Sequence, residues 1–318
     1  MRVGYYVSRI ALCITATVFP LLSQVPPQTL LAPAQIGALP EMNRSVETLS
    51  VNVHEVNLVL SVTNHWGKFV NSLRPSDLTV LDNGEVQTEF TFFQRQTDLP
   101  LNIAIVLDVS SSIAYRFNAE RSAIKSFLKQ VVKPRDAVMV FTFNQNVQAA
   151  IPVANDWEKT AHRIKDLHAD GETALYDAVS EASDWLASGN NATRHVMVVI
   201  SDGEENTSRR TMDEAISDAL KAETAIYSVN VNLDNFSTES KQGVTILKTL
   251  SDATGGQYFH VLEDDDMNEP FRKIRRELRS QYVVAYKLPS ATVRAFHHLQ
   301  VLVPRSLRVR CRAGYYAR

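Results

Sequence analysis

The sequence predicts an α/β protein in which a Rossmann-like, doubly wound and mostly parallel sheet is combined with a β-sandwich. Two observations support this fold class. Strand and helix patterns alternate over about 190 residues in the middle of the chain, which is typical of parallel strands joined by crossover helices. Strand patterns without helices precede and follow this region. We therefore expect a central domain at 98–287, with sandwich strands at 46–97 and 288–318.

The composition is that of a folded globular protein. Of the 318 residues, 45% are hydrophobic and 21% are charged, which excludes a disordered or collagen-like chain. The formal net charge of -2 does not favour nucleic-acid binding. The most basic segment, 272–318, contains 12 Lys and Arg and one acid, but its Arg308, Arg310 and Arg312 alternate with apolar residues. We interpret these arginines as the solvent-exposed face of a strand.

The N-terminus has the features of a secretory signal peptide. Arg2 and Arg9 precede an apolar run of 13 residues at 10–22, and a Pro-rich polar stretch follows. The run is shorter than the ~20 apolar residues that a membrane-spanning helix needs. We therefore expect a signal peptide at 1–24, a linker at 25–45, and export to the periplasm, the cell envelope or the exterior. An uncleaved anchor is the alternative, and it would then be the protein's contact with a membrane.

Residues 46–97 predict about four antiparallel strands. The alternation at 56–62 is that of a half-buried strand, and the Asn-Gly pair at 83–84 marks a hairpin whose second strand runs over 86–93. The C-terminal segment adds two or three strands, in the last of which we expect Cys311 to point inward as a small apolar side chain. Neither group makes a satisfactory sheet by itself. We therefore expect the central domain to be inserted into one sandwich built from both chain ends.

The central domain begins with a nearly continuous β-branched run at 101–107, which is typical of a strand covered on both faces. The predicted elements that follow are a helix at 118–132, a strand at 137–143, helices at 156–167 and 173–186, a strand at 195–200, a helix at 212–222, a strand at 225–231, a helix at 245–253, a strand at 257–261, a helix at 267–279 and a strand at 281–286. Sheets of this kind bind ligands beyond the carboxyl ends of their strands. The residues just after each strand are therefore candidates for a site.

Oxygen-bearing side chains stand at three such places. Asp108, Ser110 and Ser112 directly follow the first strand of the central domain, Thr173 begins a helix, and Asp202 follows a later buried strand. Two carboxylates and three hydroxyls, without Cys or His, suit Mg²⁺, with Mn²⁺ or Ca²⁺ as alternatives, rather than zinc. Because Mg²⁺ usually keeps several waters, an open coordination position can take a carboxylate from a partner.

The joint appearance of these five residues, in this order, resembles the von Willebrand factor A domain with its metal-ion-dependent adhesion site. The resemblance implies that all five are the metal ligands and that the cation mediates binding to another protein. A broader resemblance, to exported A-domain-related proteins found mainly in acidobacteria, rests on the segments 56–93, 173–177, 201–204, 278–282 and 309–317. The physiological role of that family is largely unassigned.

Three other motifs have simpler interpretations. We expect Glu204 and Glu205 to face solvent, with an outer-shell role at the metal as the alternative. The acidic run at 263–266 lacks the spaced ligands of a calcium loop, and we interpret it as a solvated turn before a helix. The His pair at 297–298 has neither Cys partners nor zinc-site spacing, so no zinc role is expected.

The sequence thus predicts an exported, non-enzymatic protein that binds a divalent cation and, through it, an Asp or Glu of a protein partner. Two alternatives remain open at this point. One is a structural cell-envelope component in which the metal only stabilises the fold. The other is a hydrolase that uses Ser110 or Ser112 as nucleophile, or a metal-activated water. The chain has no Gly-x-Ser-x-Gly elbow and no phosphate-binding loop to support the hydrolase.

Overall fold

In the computed structural model the described residues are 54–95, 99–115, 117–153, 168–189, 193–232, 237–262, 267–288 and 296–317. The predicted signal peptide and linker, the predicted helix at 156–167 and the acidic run at 263–266 lie outside these ranges. Within the described ranges we find no helix with both the length and the apolar character needed to cross a membrane.

Most of the described strands and helices follow one another in the order that the sequence patterns predict. The strands are β1 (His54–Asn64), β2 (Thr79–Asp82), β3 (Glu85–Gln87), β4 (Phe90–Arg95), β5 (Leu101–Asp108), β6 (Ala137–Phe143), β7 (Val147–Val153), β8 (Arg194–Ser201), β9 (Thr224–Asn230), β10 (Tyr258–His260), β11 (Tyr282–Leu288), β12 (Phe296–Leu302), β13 (Leu307–Cys311) and β14 (Gly314–Tyr316). The α-helices are α1 (Phe117–Val131), α2 (Leu175–Ala187), α3 (Met212–Lys221), α4 (Thr238–Thr254) and α5 (Asn268–Leu278).

The central sheet confirms the doubly wound prediction. Its strand order is β10-β9-β8-β5-β6-β7, with the first five parallel and β7 antiparallel to β6. Every residue of β5 is buried, because helices cover both faces. Helices α1 and α5 pack on one face, where the rings of Phe127 and Phe271 are 5.0 Å apart, and α2, α3 and α4 pack on the other. The carboxyl ends of the parallel strands therefore share one edge.

Both chain ends contribute to a β-sandwich, as predicted. One sheet has the order β13-β1-β11-β4 and the other β14-β12-β2-β3, so each contains strands from before and after the central domain. The two sheets share one apolar core. In the first sheet Leu60 of β1 lies opposite both Tyr282 and Cys311. Cys311 packs against this core, and burial raises the pKa of its thiol to about 11.

The sandwich corrects two predicted boundaries. The strand expected over 86–93 is two strands: β3 completes the hairpin with β2, and β4 crosses to the other sheet and pairs with β11. The strand after the last helix, β11, is also a sandwich strand, so the central domain ends near residue 280 rather than 287. Alternation shows which residues share a face of a strand, but not which sheet the strand joins.

Two further elements differ from the sequence prediction. Helix α4 begins seven residues earlier than the predicted helix at 245–253, because Ser237 caps it by accepting a hydrogen bond from the Ser240 amide (3.0 Å). The first turn of α4 is polar, which hides it from hydrophobic periodicity. Strand β7 was not predicted; it pairs with β6 through a bulge near Val140.

The alternating arginines of β13 are not all solvated. Only Arg308 is exposed, whereas Arg310 forms an ion pair with the buried carboxylate of Glu277 and Arg312 donates to the Asn57 carbonyl (2.7 Å). The prediction of a solvent face was wrong for two of the three side chains. The end of β13 lies against the central domain, since the Ala313 amide donates to the Ala253 carbonyl.

Candidate metal centre

Asp108, at the carboxyl end of β5, lies at the centre of the candidate site. It is fully buried, and its Oδ1 accepts from the Ser110 amide (2.8 Å) while its Oδ2 accepts from the Ser201 hydroxyl (2.6 Å). The first bond makes the chain turn sharply after the strand. The second joins the end of β5 to the end of its neighbour β8.

The turn after Asp108 holds two hydroxyls close together. Ser110 is buried and Ser112 is half-buried, and their Oγ atoms are 3.1 Å apart. Ser112 lies in a short 3-10 helix, Ser111–Ile113, which keeps the turn compact. The hydroxyls and the carboxylate thus come from one short segment.

Thr173 reaches the site from a loop that is hydrogen-bonded to this turn. The Ser111 amide donates to the Gly171 carbonyl (3.1 Å), and the Asp170 amide donates to the Val109 carbonyl (2.8 Å). Thr173 is buried, with 1% of its surface exposed. It precedes α2, whose first residue is Leu175, so the prediction that Thr173 begins the helix was wrong by two residues.

Asp202 follows β8 and is also buried, with 3% of its surface exposed. Its Oδ1 accepts from the Glu204 amide (3.0 Å). The next residue, Gly203, has φ +82° and touches α4 so closely that a Cβ there would lie 2.4 Å from the Gly243 carbonyl oxygen. The glycine pair therefore allows the Asp202 loop and α4 to meet backbone to backbone.

The electrostatics of the site are those of a cation site. Burial first, and then the negative charge of Asp202, raise the pKa of Asp108 to about 7. Burial, followed by Asp202 and Glu239, also raises the pKa of Glu204. None of these neighbours is positively charged, so the buried carboxylates repel each other. A divalent cation between them would remove this repulsion.

The structure thus places the five predicted ligands, Asp108, Ser110, Ser112, Thr173 and Asp202, at the same edge of the central sheet. Their role as metal ligands stays a prediction. The donor set fits a hard divalent cation, since every side chain offers oxygen and two are buried carboxylates without a cationic partner among the described residues. The described residues contain no metal-binding group of three or more His, Cys, Asp or Glu, and the predicted set has only two carboxylates.

Three further residues, Ser201, Asn206 and Glu205, support the site and were not predicted to do so. Ser201 bonds Asp108, and Asn206 accepts from the Thr173 amide (2.8 Å) through its side chain. Glu205, expected in solvent, accepts from the amides of Tyr176 (3.0 Å) and Ser208 (2.9 Å) and so caps the start of α2. Ser201 could have been found from the sequence, because it is a polar residue at the end of an apolar strand. No local sequence feature distinguishes Asn206 or Glu205.

A second buried polar cluster lies inside the sandwich, away from the site. His297 Nδ1 is 2.6 Å from Asp82 Oδ1, and Asp82 Oδ2 accepts from the hydroxyls of Tyr286 (2.8 Å) and Tyr315 (2.6 Å). These four residues come from β2, β11, β12 and β14 and join the two sheets. The spacing of the His pair argued against zinc binding, but nothing in the sequence near His297 indicated this structural role.

Comparison with known proteins agrees with the fold. Residues 103–205 match the family model of the von Willebrand factor type A domain. The structure is similar to von Willebrand factor type A from Catenulispora acidiphila, with a TM-score of 0.51 and 11% identity over 84% of this chain and 74% of that one. It also matches the conserved hypothetical protein BatB from Bacteroides thetaiotaomicron, with a TM-score of 0.48 and 15% identity over 57% of this chain and all of that one.

A curated relative extends the comparison to sequence. An uncharacterized protein of Borreliella burgdorferi is 26% identical over an alignment of 188 residues, and the match covers 51% of this chain and 54% of that protein. The chain therefore matches about half the length of this relative. The protein contains a von Willebrand factor type A domain. Along the sequence, the strands of the Rossmann-like sheet lie between the two groups of strands that form the sandwich.

Proposed function

We propose that this protein is an exported binding module that captures a protein partner through a divalent cation at a metal-ion-dependent adhesion site. The ligands would be Asp108, Ser110, Ser112, Thr173 and Asp202, and Mg²⁺ would be the resident cation, with Mn²⁺ or Ca²⁺ able to replace it. The partner would supply an Asp or Glu to the open coordination position. Export is inferred from the signal-like sequence at 1–24.

One observation supports this proposal above the others: two buried carboxylates lie at the ligand-binding edge of the sheet with hydroxyls around them, and no cationic side chain of the described residues pairs with them. Asp108 and Asp202 come from strands that lie side by side, β5 and β8. Burying an unpaired carboxylate is costly, so a site of this kind favours an added positive charge. With only two carboxylates to satisfy it, the cation would retain an affinity for a third.

The proposed role is binding rather than catalysis. The hydroxyl of Ser110 lies 3.1 Å from the hydroxyl of Ser112 and also interacts with the Asp108 carboxylate, so its neighbours are oxygen groups of the kind that bind a hard cation. Ser110 is also buried, with 1% of its surface exposed. Both observations favour a ligand role for these serines over the hydrolase alternative.

The first test is thermal unfolding with Mg²⁺, Mn²⁺, Ca²⁺ or a chelator. A cation that binds only the folded protein at 100 times its dissociation constant adds about 2.7 kcal/mol of stability. We expect a clear rise in the unfolding temperature with Mg²⁺, absent in Asp108→Ala and retained in Asp213→Ala, which alters an exposed residue of α3. No rise in the wild type would contradict the cation site.

The second test is capture of protein partners from an extract with and without chelator. Capture that requires the cation and is lost in Asp108→Ala supports the proposal. Capture that chelation leaves unchanged contradicts it. Stabilisation by the cation without cation-dependent capture would indicate the structural envelope component.

A further inference from the structure

We infer that Asn206 is a positioning residue that sets the cation affinity of the site by holding Thr173 in place. This inference rests on the proposed function, in which Thr173 is a ligand, and it concerns a residue outside the predicted ligand set. Asn206 belongs to the loop that begins with Asp202 at the end of β8. It therefore connects two predicted ligands that come from different loops.

The backbone of Thr173 is not held by a helix. The Ala174 carbonyl accepts from the Ala178 amide (3.2 Å), so the hydrogen bonds of α2 begin one residue after Thr173. Thr173 is nevertheless buried, with 1% of its surface exposed. Buried backbone groups need hydrogen-bond partners. The amide and the carbonyl of Thr173 must therefore find theirs in another part of the chain.

Asn206 and its neighbour Thr207 supply partners for both groups. The side-chain oxygen of Asn206 accepts from the Thr173 amide (2.8 Å), and the amides of Asn206 (3.0 Å) and Thr207 (3.2 Å) donate to the Thr173 carbonyl. Among the described residues, the hydrogen bonds of Thr173 are all made by its backbone. The segment thus fixes the backbone of Thr173 and leaves the hydroxyl available to a cation.

The position of Asn206 is itself well defined, because residues on either side of it are attached to α2. Glu205 accepts from the Tyr176 amide (3.0 Å), and the Ser208 hydroxyl accepts from the amides of Tyr176 (3.1 Å) and Asp177 (3.2 Å). The Ser208 hydroxyl also donates to Glu205 (2.7 Å). Asn206 is therefore a fixed point from which the Thr173 backbone can be oriented.

Loss of the Asn206 side chain would leave the buried Thr173 amide without its acceptor. A buried amide without a partner is unfavourable, so the segment should shift until this amide meets water or another acceptor. The shift would move the Thr173 hydroxyl relative to Asp202. Replacing a residue that orients a metal ligand typically lowers metal affinity by about 10- to 100-fold.

The test is a double-mutant cycle of Asn206→Ala and Thr173→Ala, with Mg²⁺ affinity measured by isothermal titration calorimetry. We expect Asn206→Ala alone to weaken Mg²⁺ binding by about tenfold. In the Thr173→Ala background, the same change should weaken binding by less than about twofold, because the hydroxyl that Asn206 positions is already absent. A purely structural role of Asn206 would not produce this dependence on Thr173.

Asn64→Ala is the matched control. The side-chain oxygen of Asn64 accepts from the amides of Trp66 and Lys68 (3.0 Å each) in an exposed turn of the sandwich, so this variant also removes an asparagine that binds loop backbone. Its Mg²⁺ affinity should equal that of the wild type. Unfolding temperatures in chelator show whether each variant is folded. Asn206→Gln, whose longer side chain misplaces the same amide group, replaces Asn206→Ala in the cycle if the alanine variant does not fold.

Unchanged Mg²⁺ affinity in a folded Asn206 variant, or an equal loss with and without the Thr173 hydroxyl, would overturn the inference and leave the proposed function intact. A wild type that binds no Mg²⁺ would refute the proposed function, and this inference with it.

Discussion

Asp108 is the residue on which we expect both the stability of the metal-free protein and the proposed cation binding to depend. Its buried charge faces Asp202, and its neutral partners are the Ser110 amide and the Ser201 hydroxyl. A buried charge without a counter-charge lowers the free energy of unfolding, and binding sites are commonly less stable than the rest of the fold for reasons of this kind. We therefore expect the same residue to lower the stability of the metal-free protein and to favour binding of a cation.

The first prediction concerns Asp108→Asn. In the presence of chelator, the variant should unfold at a higher temperature than the wild type, and addition of Mg²⁺ should no longer raise the unfolding temperature. The amide keeps an oxygen to accept from the Ser110 amide but removes the buried charge. Differential scanning calorimetry of both proteins, with and without Mg²⁺, checks this. Asp213→Asn, on the exposed first turn of α3, should change neither value. A chelator-treated Asp108→Asn protein that unfolds below the wild type would contradict the prediction.

The second prediction compares two glycines with nearly the same backbone conformation. Gly84 and Gly203 have φ of +85° and +82°, but a Cβ meets nothing within 4 Å at Gly84 and meets the Gly243 backbone at Gly203. Gly84→Ala should cost about 1–2 kcal/mol of unfolding free energy, the cost of the left-handed conformation. Gly203→Ala should cost a further ~1–3 kcal/mol, because α4 must move away.

Urea unfolding of the two glycine variants gives these free energies, and Mg²⁺ titration adds a functional readout. We expect Mg²⁺ affinity to fall in Gly203→Ala, because the displaced loop contains Asp202, and to be retained in Gly84→Ala. Equal unfolding free energies for the two variants would show that the loop and α4 adapt to one another without strain.

At the scale of elements, the end of α5 is attached to the sandwich by a buried ion pair. Glu277 is fully buried; its Oε1 accepts from the Ser61 hydroxyl of β1 (2.8 Å) and its Oε2 from the Arg310 guanidinium of β13. A nearby hydrogen bond also connects the central domain to the sandwich. The Arg194 guanidinium of β8 donates to the side-chain oxygen of Gln281 (2.7 Å), which directly precedes β11. The central domain and the sandwich are thus joined by polar contacts as well as by the chain.

The third prediction concerns this ion pair. Arg310→Ala should destabilise the protein by about 3 kcal/mol, because it leaves the Glu277 carboxylate buried without its counter-charge. Arg308→Ala, two residues away on the exposed face of the same strand, should change the unfolding free energy by no more than ~0.5 kcal/mol. Chemical denaturation measures both. Adding Glu277→Gln to Arg310→Ala should recover part of the loss, and a failure to recover any would show that packing, not charge, sets the cost.

At the scale of the whole molecule, the sandwich is closed by strands that are distant in sequence. Among the described strands, β1 pairs with β11 and β13, which both follow the central domain, and β4 pairs with β11. The chain enters the central domain near Pro100 and leaves it near Leu278, and Arg194 links these two points. Its backbone amide donates to the Pro100 carbonyl (3.0 Å), and its guanidinium donates to the Leu278 carbonyl (2.9 Å). The central domain is an insertion between two adjacent points of the sandwich.

The fourth prediction follows from this arrangement. A fragment of residues 54–95 should not fold, since the hydrogen-bond partners of β1 and β4 are missing from it. A chain in which 99–280 is replaced by a short Gly-Ser linker should fold, since the linker spans a short distance. Dispersion of amide signals in proton–nitrogen NMR spectra distinguishes the two. A dispersed spectrum from the 54–95 fragment would contradict the insertion model.

Local chemistry was enough to predict much of this protein. Periodicity identified most strands and helices, and an Asn-Gly pair identified the hairpin. Residue type and position at strand ends, together with the resemblance to the von Willebrand factor A domain, selected Asp108, Ser110, Ser112, Thr173 and Asp202 as expected ligands. These features depend on a few neighbouring residues, so one sequence reveals them. The insertion of the central domain was inferred because neither group of terminal strands could satisfy its edges alone.

The tertiary structure decided what depends on residues far apart in the chain. Strand pairing shows that β11 belongs to the sandwich and that residues 86–93 contribute strands to two different sheets. It also brings Arg310, which was predicted to face solvent, into an ion pair with Glu277. It also set the charge environment of Asp108, which depends on Ser201 and Asp202 at the end of another strand. Sequence periodicity predicts the face of a strand or helix on which a side chain lies. Which group that side chain contacts depends on how strands distant in the sequence pair.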